Sequence, residues 1–247
     1  MAERSEHVWL VGGGISALAA AALLVRDAGM PGDRIHVLEQ EPVLGGSLDG
    51  SGDPERGYLV RGGRMFEPHF GCTWDLFRSI PSVEDPSVSV TDQVHAFTRS
   101  HVPSSRCRLV RGGRPVEAPA FGLALRERLD LLRLTRTPEA RLGDCTIEAW
   151  FRPRFLASDY WLMWSTMFAF QPWHAVAELR RYARRFMHLL PGFNRHEGIQ
   201  RTPLNQYDAL ILPLERWLRH RGVDLRTGVR VVDLAFTETD VPHHVHA

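Results

Sequence analysis

Cysteine is scarce. Only Cys72, Cys107 and Cys145 occur in 247 residues, far apart and with no CxxC spacing. Such scattered thiols exclude a disulfide framework, read as reduced, and point to a reducing, cytoplasmic setting with no metal site. An excess of one charge is missing too. Thirty Lys plus Arg stand against 29 Asp plus Glu, a net charge of +1. That balance gives no support for nucleic acid or a generally acidic partner. Twelve histidines add charge only in acid. The opening MAERSEHVWLVGGG lacks the cationic region, apolar stretch and cleavage site of a signal peptide. The longest apolar run, Tyr160 to Phe170, is about half the ~20 residues that a spanning helix needs. A soluble protein is expected, with surface contact to a membrane left open.

What is present fits one large domain or two small ones: 44% hydrophobic and 24% charged residues, enough for a real core. His7–Val11 is a short apolar run that ends in three glycines, and Ala17–Leu24 after it is rich in helix formers. Ile35–Glu39 is a second apolar run behind the turn signal Met30-Pro31-Gly32-Asp33. Together they predict a βαβ unit. Residues 43–64 hold seven of the 21 glycines and read as loop. Arg111-Gly112-Gly113-Arg114 echoes Arg61-Gly62-Gly63-Arg64, either as a repeat or as a glycine pair turning a hairpin. From Phe121 to about His188 the apolar spacing of three and four predicts helices. A further helix is expected over Leu210–Arg219, started or kinked by Pro213. Val223–Phe236 alternates like strands, and the tail Val241–Ala247 reads as loop.

Gly12-Gly13-Gly14-Ile15-Ser16-Ala17 matches GxGxxG/A directly after a strand and at the start of a helix. In that reading Gly12 makes the tight turn and Gly14 admits a pyrophosphate close to the backbone. Ala17 allows close helix packing, and the helix amino terminus, with Ser16, faces the phosphate charge. Glu39 falls where a carboxylate bonds a ribose hydroxyl, with Gln40 beside it. A second glycine pair follows, with Ser47 next to Gly46. That placement favours FAD over NAD, although an unrelated flexible loop would look the same.

The longer blocks are more specific. LGGSLDGSG (44–52), RGGRMFEPHFGCTWDLF (61–77), FGLALRERLDLLRL (121–134), ASDYWLMWSTMFAFQPWHAVAELRRYARRF (157–186) and TPLNQYDALILPLERWL (202–218) resemble the oleate hydratases, once called myosin-cross-reactive antigens. The resemblance runs from Val8 to Phe236. It implies an α/β, Rossmann-like FAD-binding domain of the glutathione-reductase type with an inserted, mainly helical substrate region. The expected parts are 1–120 for FAD and its loop, 121–220 for substrate, and 221–247 for return strands and tail. Family members are more than twice this length, so the carboxy-terminal part of the family fold is expected to be missing. It also implies a lyase that adds water to the cis-9 double bond of an oleate-like fatty acid, giving the 10-hydroxy product. The cofactor is FAD, and peripheral membrane contact is possible.

The resemblance also implies roles for single residues. The family reads RGGREME in the flavin loop, its first glutamate activating water. Here Met65 stands in that place, and a thioether cannot take a proton. Glu67 is then the remaining carboxylate of the loop, either a replacement base or a salt-bridge partner of Arg61 or Arg64. Arg61, Gly63 and Arg64 would hold phosphate or balance flavin charge, or form a solvated face. The proton donor falls on Tyr182, 24 residues before Gln206 of Asn205-Gln206-Tyr207. Tyr182 borders the apolar stripe Val176, Leu179, Ala183, Phe186 and Leu190, with Arg181 and Arg185 close in sequence, so general acid or packing tyrosine both fit. Gln206 would line the substrate cavity, unless its amide serves a turn or cap. Val231 would cover the adenine or fill core. Trp161, Trp164, Phe168, Phe170 and Trp173 could wall a lipid channel or form ordinary core. His243, His244 and His246 read as tail. The competing classes are a flavin oxidoreductase of the amine-oxidase or desaturase type, and a non-catalytic FAD- or lipid-binding remnant.

Overall fold

The structure is a computed structural model that describes residues 6–50, 52–59, 65–105, 108–117, 122–236 and 245–246. The chain opens with strand β1 (Val8–Val11), helix α1 (Ile15–Arg26) and strand β2 (Ile35–Leu38). Helices α2 (Gly71–Arg78) and α3 (Val90–Ser100) follow. After the hairpin Arg108–Arg111/Arg114–Glu117 come α4 (Leu125–Arg136), α5 (Asp159–Phe168) and α6 (Val176–Phe186). The chain closes with α7 (Leu212–His220) and strand β3 (Asp224–Arg226). Two compact units result, one from residues 1–102 and 199–247, the other from 103–198.

The first unit is α/β. Its parallel sheet has the order β1-β2-β3, with Val8 opposite Ile35 and His36 opposite Asp224. Central β2 is buried along nearly its whole length, as expected for a parallel strand covered on both sides. α1 turns Leu18, Ala21 and Ala22 inward, and the two alanines leave room for close approach to Ile35 and Val37. Leu214 and Leu218 of α7 join the same core. α3 begins at Ser89, whose Oγ accepts the Asp92 N–H at 3.0 Å. Pro213 sits in the first turn of α7, where its missing N–H costs nothing. It follows a turn of π-helical bonding over Tyr207–Ile211.

The expected run of strands over Val223–Phe236 is corrected. Only Asp224–Arg226 joins the sheet, and Ala235–Phe236 pairs with Val245–His246 in a two-residue ladder. Residues 227–234 have no ladder partner among the described residues, and alternation alone cannot hold a strand without one. Val231 is therefore half-buried in irregular chain. The tail is likewise not all loop, since Val245 and His246 form the second strand of that ladder.

The second unit is helical apart from its hairpin. Gly112 and Gly113 both have positive φ, 54° and 75°, the backbone that a two-residue hairpin turn demands. The hairpin accounts for Arg111–Arg114. The core gathers Leu134, Phe151, Phe155, Tyr160, Trp161, Trp164, Leu179 and their neighbours. Ser158 caps α5 by accepting the Trp161 N–H at 3.1 Å. Among the described residues no helix is long and apolar enough to cross a membrane.

Candidate functional site

β1 ends in a turn built by three glycines with three different duties. Gly12 takes φ +94°, a conformation that side chains rarely adopt. A Cβ on Gly13 would stand 2.4 Å from Leu44 Cδ2 and 2.9 Å from Glu39 Cβ, so no side chain fits there. Gly14 has ordinary φ, yet a Cβ on it would meet nothing within 4 Å. Its outer face is open space. Gly14 also caps α1, without a side-chain cap and with no acidic residue in the first turn. The first N–H groups of α1 and the positive end of its dipole thus stand ready for an anion. Ser16 is exposed in that turn and Ala17 is half-buried against the core.

The second glycine pair packs directly on the first. Gly45 N–H donates to Gly13 O at 2.8 Å, and Gly45 bridges Gly14 in parallel. Gly46 comes so close that a Cβ on it would lie 3.2 Å from Gly14 Cα. Glu39 locks the two turns together. Its Oε2 accepts the Gly13 N–H at 2.5 Å, and its Oε1 accepts the Glu41 N–H at 2.8 Å. Each oxygen retains a lone pair in a fixed direction, an acceptor pair suited to neighbouring hydroxyls. A cavity of about 490 Å³ opens here, lined by Glu39, Glu41, Pro42, Val43, Gly46, Ser47 and Asp49. Gln40 is exposed at its margin in sequence, 3.4 Å through Nε2 from Glu41.

The structure brings Gly12, Gly14, Glu39, Gly46 and Ser47 to one place. Gly13 belongs with them, although the motif treats it as a free position. Its signal was available only as a third consecutive glycine. Arg61, Gly63 and Arg64 lie outside the described residues. Met65 is half-buried, and Phe66 next to it exchanges backbone hydrogen bonds with Gln200. Glu67 is buried at 2% exposure, with His69 Nδ1 3.7 Å from its Oε2. A carboxylate so far from water needs such a partner. Its carbonyl accepts the Trp74 indole N–H at 2.8 Å, fixing the segment to α2.

Gln206 is half-buried at the start of the π-helical turn and makes no side-chain cap bond. The capping is done by Asn205, whose Oδ1 accepts the Asp208 N–H at 3.0 Å and whose amide donates to Asp208 Oδ2. Burial pushes the Tyr207 hydroxyl above its usual pKa.

Tyr182 belongs to the helical unit. α6 buries Val176, Leu179 and Ala183, and Tyr182 lies beside that stripe with 37% exposure. Its ring meets Phe168 and Phe170 edge-on, each at 5.1 Å between centroids, and Phe186 at 5.9 Å. Arg181 is engaged elsewhere, with Glu139 on one side and Glu178 on the other. Trp161, Trp164 and Phe170 are buried core, whereas Trp173 is 64% exposed. The aromatic segment is therefore mainly packing. His243 and His244 lie outside the described residues.

The model of the MCRA family matches residues 5–247. The chain is 40% identical over 236 residues to an oleate hydratase of Streptococcus pyogenes serotype M49 (strain NZ131), covering 95% of this chain and 40% of that protein. It is 28% identical over 258 residues to a linoleate hydratase of Lactiplantibacillus plantarum, covering 96% of this chain and 45% of that one. The chain thus spans less than half the length of these relatives. A crystal structure of an oxidoreductase from Methanosarcina mazei is similar in fold, with a TM-score of 0.58 at 15% identity over 96% of this chain and 56% of that one.

Proposed function

The chain belongs to the MCRA family, and on that premise we propose that it carries the FAD-binding part of a fatty-acid hydratase. The proposed reaction adds water across the cis-9 double bond of an oleate-like fatty acid to give the 10-hydroxy acid. The similarity to an oleate and a linoleate hydratase supports this reading. Among observations of the structure, the interlocked glycine turns carry it. Gly14 presents an open face at an uncapped helix start, and Glu39 presents two oriented oxygens at the mouth of a cavity. That donor and acceptor set fits a dinucleotide: pyrophosphate over Gly14, a ribose diol on Glu39, and the remainder along Gly46 and Ser47. FAD of the glutathione-reductase type is the proposed occupant. Hydration moves no electrons overall, so the flavin would supply a scaffold and an electrostatic surface.

The chain's own residues divide the remaining work. Tyr182 is the proposed proton donor to one alkene carbon, its phenol held against an aromatic wall. Gln206 is the proposed amide at the substrate cavity, free of the capping duty that Asn205 performs. Met65 leaves the water side without a base of its own, and buried Glu67 is the nearest carboxylate in sequence. Arg61, Gly63 and Arg64 complete the proposed flavin contacts, as does Val231 against the adenine.

The test has two readouts. Titration of the chain with FAD and with NAD, followed by flavin fluorescence, should show preference for FAD. Incubation of the full-length protein with oleate in ¹⁸O-labelled water should give a 10-hydroxy product carrying the label, with no lasting loss of flavin absorbance. Unlabelled product, or flavin reduced by substrate, would move the chain to oxidoreductase chemistry.

A further inference from the structure

The segment that follows Met65 is a fastened turn. Glu67 O accepts the Phe70 N–H at 3.1 Å, which closes a turn with Pro68 and His69 at its two central positions. Proline suits the first of these, because its ring presets the φ required there. The same carbonyl accepts the Trp74 indole N–H, and His69 O accepts the Gly71 N–H at 2.8 Å. Phe66, just before the turn, is bonded in both directions to the backbone of Gln200, at 3.0 and 2.6 Å. The turn is therefore held by α2 on one side and by Gln200 on the other, all within the first unit.

Its two ionisable side chains are placed unequally. The Glu67 side chain is 2% exposed and that of His69 is 68% exposed, with Glu67 Oε2 3.7 Å from His69 Nδ1. At that burial Glu67 has almost no surface on which to meet a substrate water. The imidazole has ample surface and lies within ion-pair reach of the carboxylate. A carboxylate on the Nδ1 side favours the tautomer with its proton on Nδ1, which makes Nε2 the basic nitrogen. It also stabilises the imidazolium that forms when Nε2 takes a proton.

We propose that His69 is the water-side base of the hydration, with Glu67 as the residue that positions it. The proposal rests on the hydratase reading and fills the duty that the Met65 thioether cannot perform. In the step, the π bond of the alkene breaks. The water oxygen bonds to one carbon, and the phenolic proton of the proposed donor, Tyr182, bonds to the other. The proton released by the water passes to His69 Nε2 and on to solvent, and solvent returns a proton to the phenolate. No electrons are gained or lost. The fixed turn holds the imidazole and the carboxylate together before substrate arrives, so little reorganisation is needed when the water is deprotonated.

The test uses the full-length, FAD-loaded protein and steady-state hydration of oleate. His69→Gln keeps a polar, exposed side chain but removes the base. Its kcat should fall ~10²-fold or more, with oleate KM and flavin absorbance as in the wild type. His69→Ala should fall as far, and added imidazole should restore part of its rate, which it would not do for a histidine that only holds the turn. Glu67→Gln should lower kcat about tenfold or more in the wild type, yet change it less than about twofold beside His69→Ala. With an active wild type, a folded His69→Gln within about twofold of it would remove His69 as the base. A loss confined to KM, or one that imidazole leaves untouched in His69→Ala, would do the same. A Glu67→Gln effect undiminished beside His69→Ala would break the pairing of the two residues. All of these leave the hydratase reading in place, whereas a loaded wild type that hydrates no oleate would overturn that reading and this proposal together.

Discussion

His36 and Asp224 stand opposite each other on neighbouring parallel strands, joined from Nδ1 to Oδ2 at 2.8 Å. Trp9 stacks on the same imidazole at 4.1 Å between ring centroids, and His7 Nδ1 lies 2.8 Å from its Nε2. Arg226 holds the same Asp224 oxygen at 2.6 and 2.7 Å. The Arg226 hydrogen bonds, and after them that of His36, keep the Asp224 carboxyl below its usual pKa.

A carboxyl depressed in the folded state stabilises above its unfolded pKa, about 4, and loses that contribution as pH falls through the folded value. Asp224→Asn should therefore lower the urea midpoint at neutral pH and flatten its decline below about pH 4. Midpoints measured down to about pH 2 check this. An equal loss at every pH would assign Asp224 a packing role instead.

Gly13 and Gly14 should respond oppositely to alanine. Gly13→Ala drives a methyl into Leu44 and Glu39 and should cost ~1–3 kcal/mol in unfolding free energy. Gly14→Ala has open space and ordinary φ, so stability should stay within ~0.5 kcal/mol while FAD affinity falls. Gly14→Leu should abolish FAD binding in a folded protein. Equal FAD affinity in that variant and the wild type would remove Gly14 from the site.

Tyr182→Phe retains the ring contacts with Phe168 and Phe170 and removes only the phenolic proton. In the full-length protein, the proposed hydration of oleate should fall ~10²–10⁴-fold, with flavin binding unchanged. A rate within about twofold of wild type would leave Tyr182 as packing.

The water side is tested by a cycle of two changes. In the full-length protein, Met65→Glu should raise the proposed turnover if the pocket keeps the new carboxylate ionised, and fail to do so if burial holds it protonated. If Glu67 already does the work, Glu67→Gln should slow the original protein and matter less beside Met65→Glu. Independent effects at equal flavin occupancy would make Glu67 structural, which its burial beside His69 also suits.

Local features of the fold were legible where local chemistry decides them. Three glycines after an apolar run can only turn, and alanine-rich chain after them can only helix and pack closely. The family was legible because its blocks are long. The middle of Val223–Phe236 misled because alternation states a preference, whereas a strand also requires a neighbour. Gly13 was passed over because motif letters record contact with a ligand and not the crowding behind it. Asn205, the actual cap, was overshadowed by Gln206 because both are amides one residue apart.

The sheet also sets an order of events in time. Its central strand receives one neighbour from 188 residues further along the chain, as the His36–Asp224 bond records. The helical unit between them is continuous in sequence. Closing the longer loop carries the greater entropy cost, and ribosomal synthesis delivers α7 and β3 after the whole insertion. Until they arrive, Leu18, Ile35 and Val37 lack Leu214, Leu218 and Leu225 as core neighbours. During synthesis, the glycine turns come first in sequence, yet these core neighbours follow only after the whole helical unit. A ribosome stalled before them would thus hold the first unit's core open, a form in need of a chaperone.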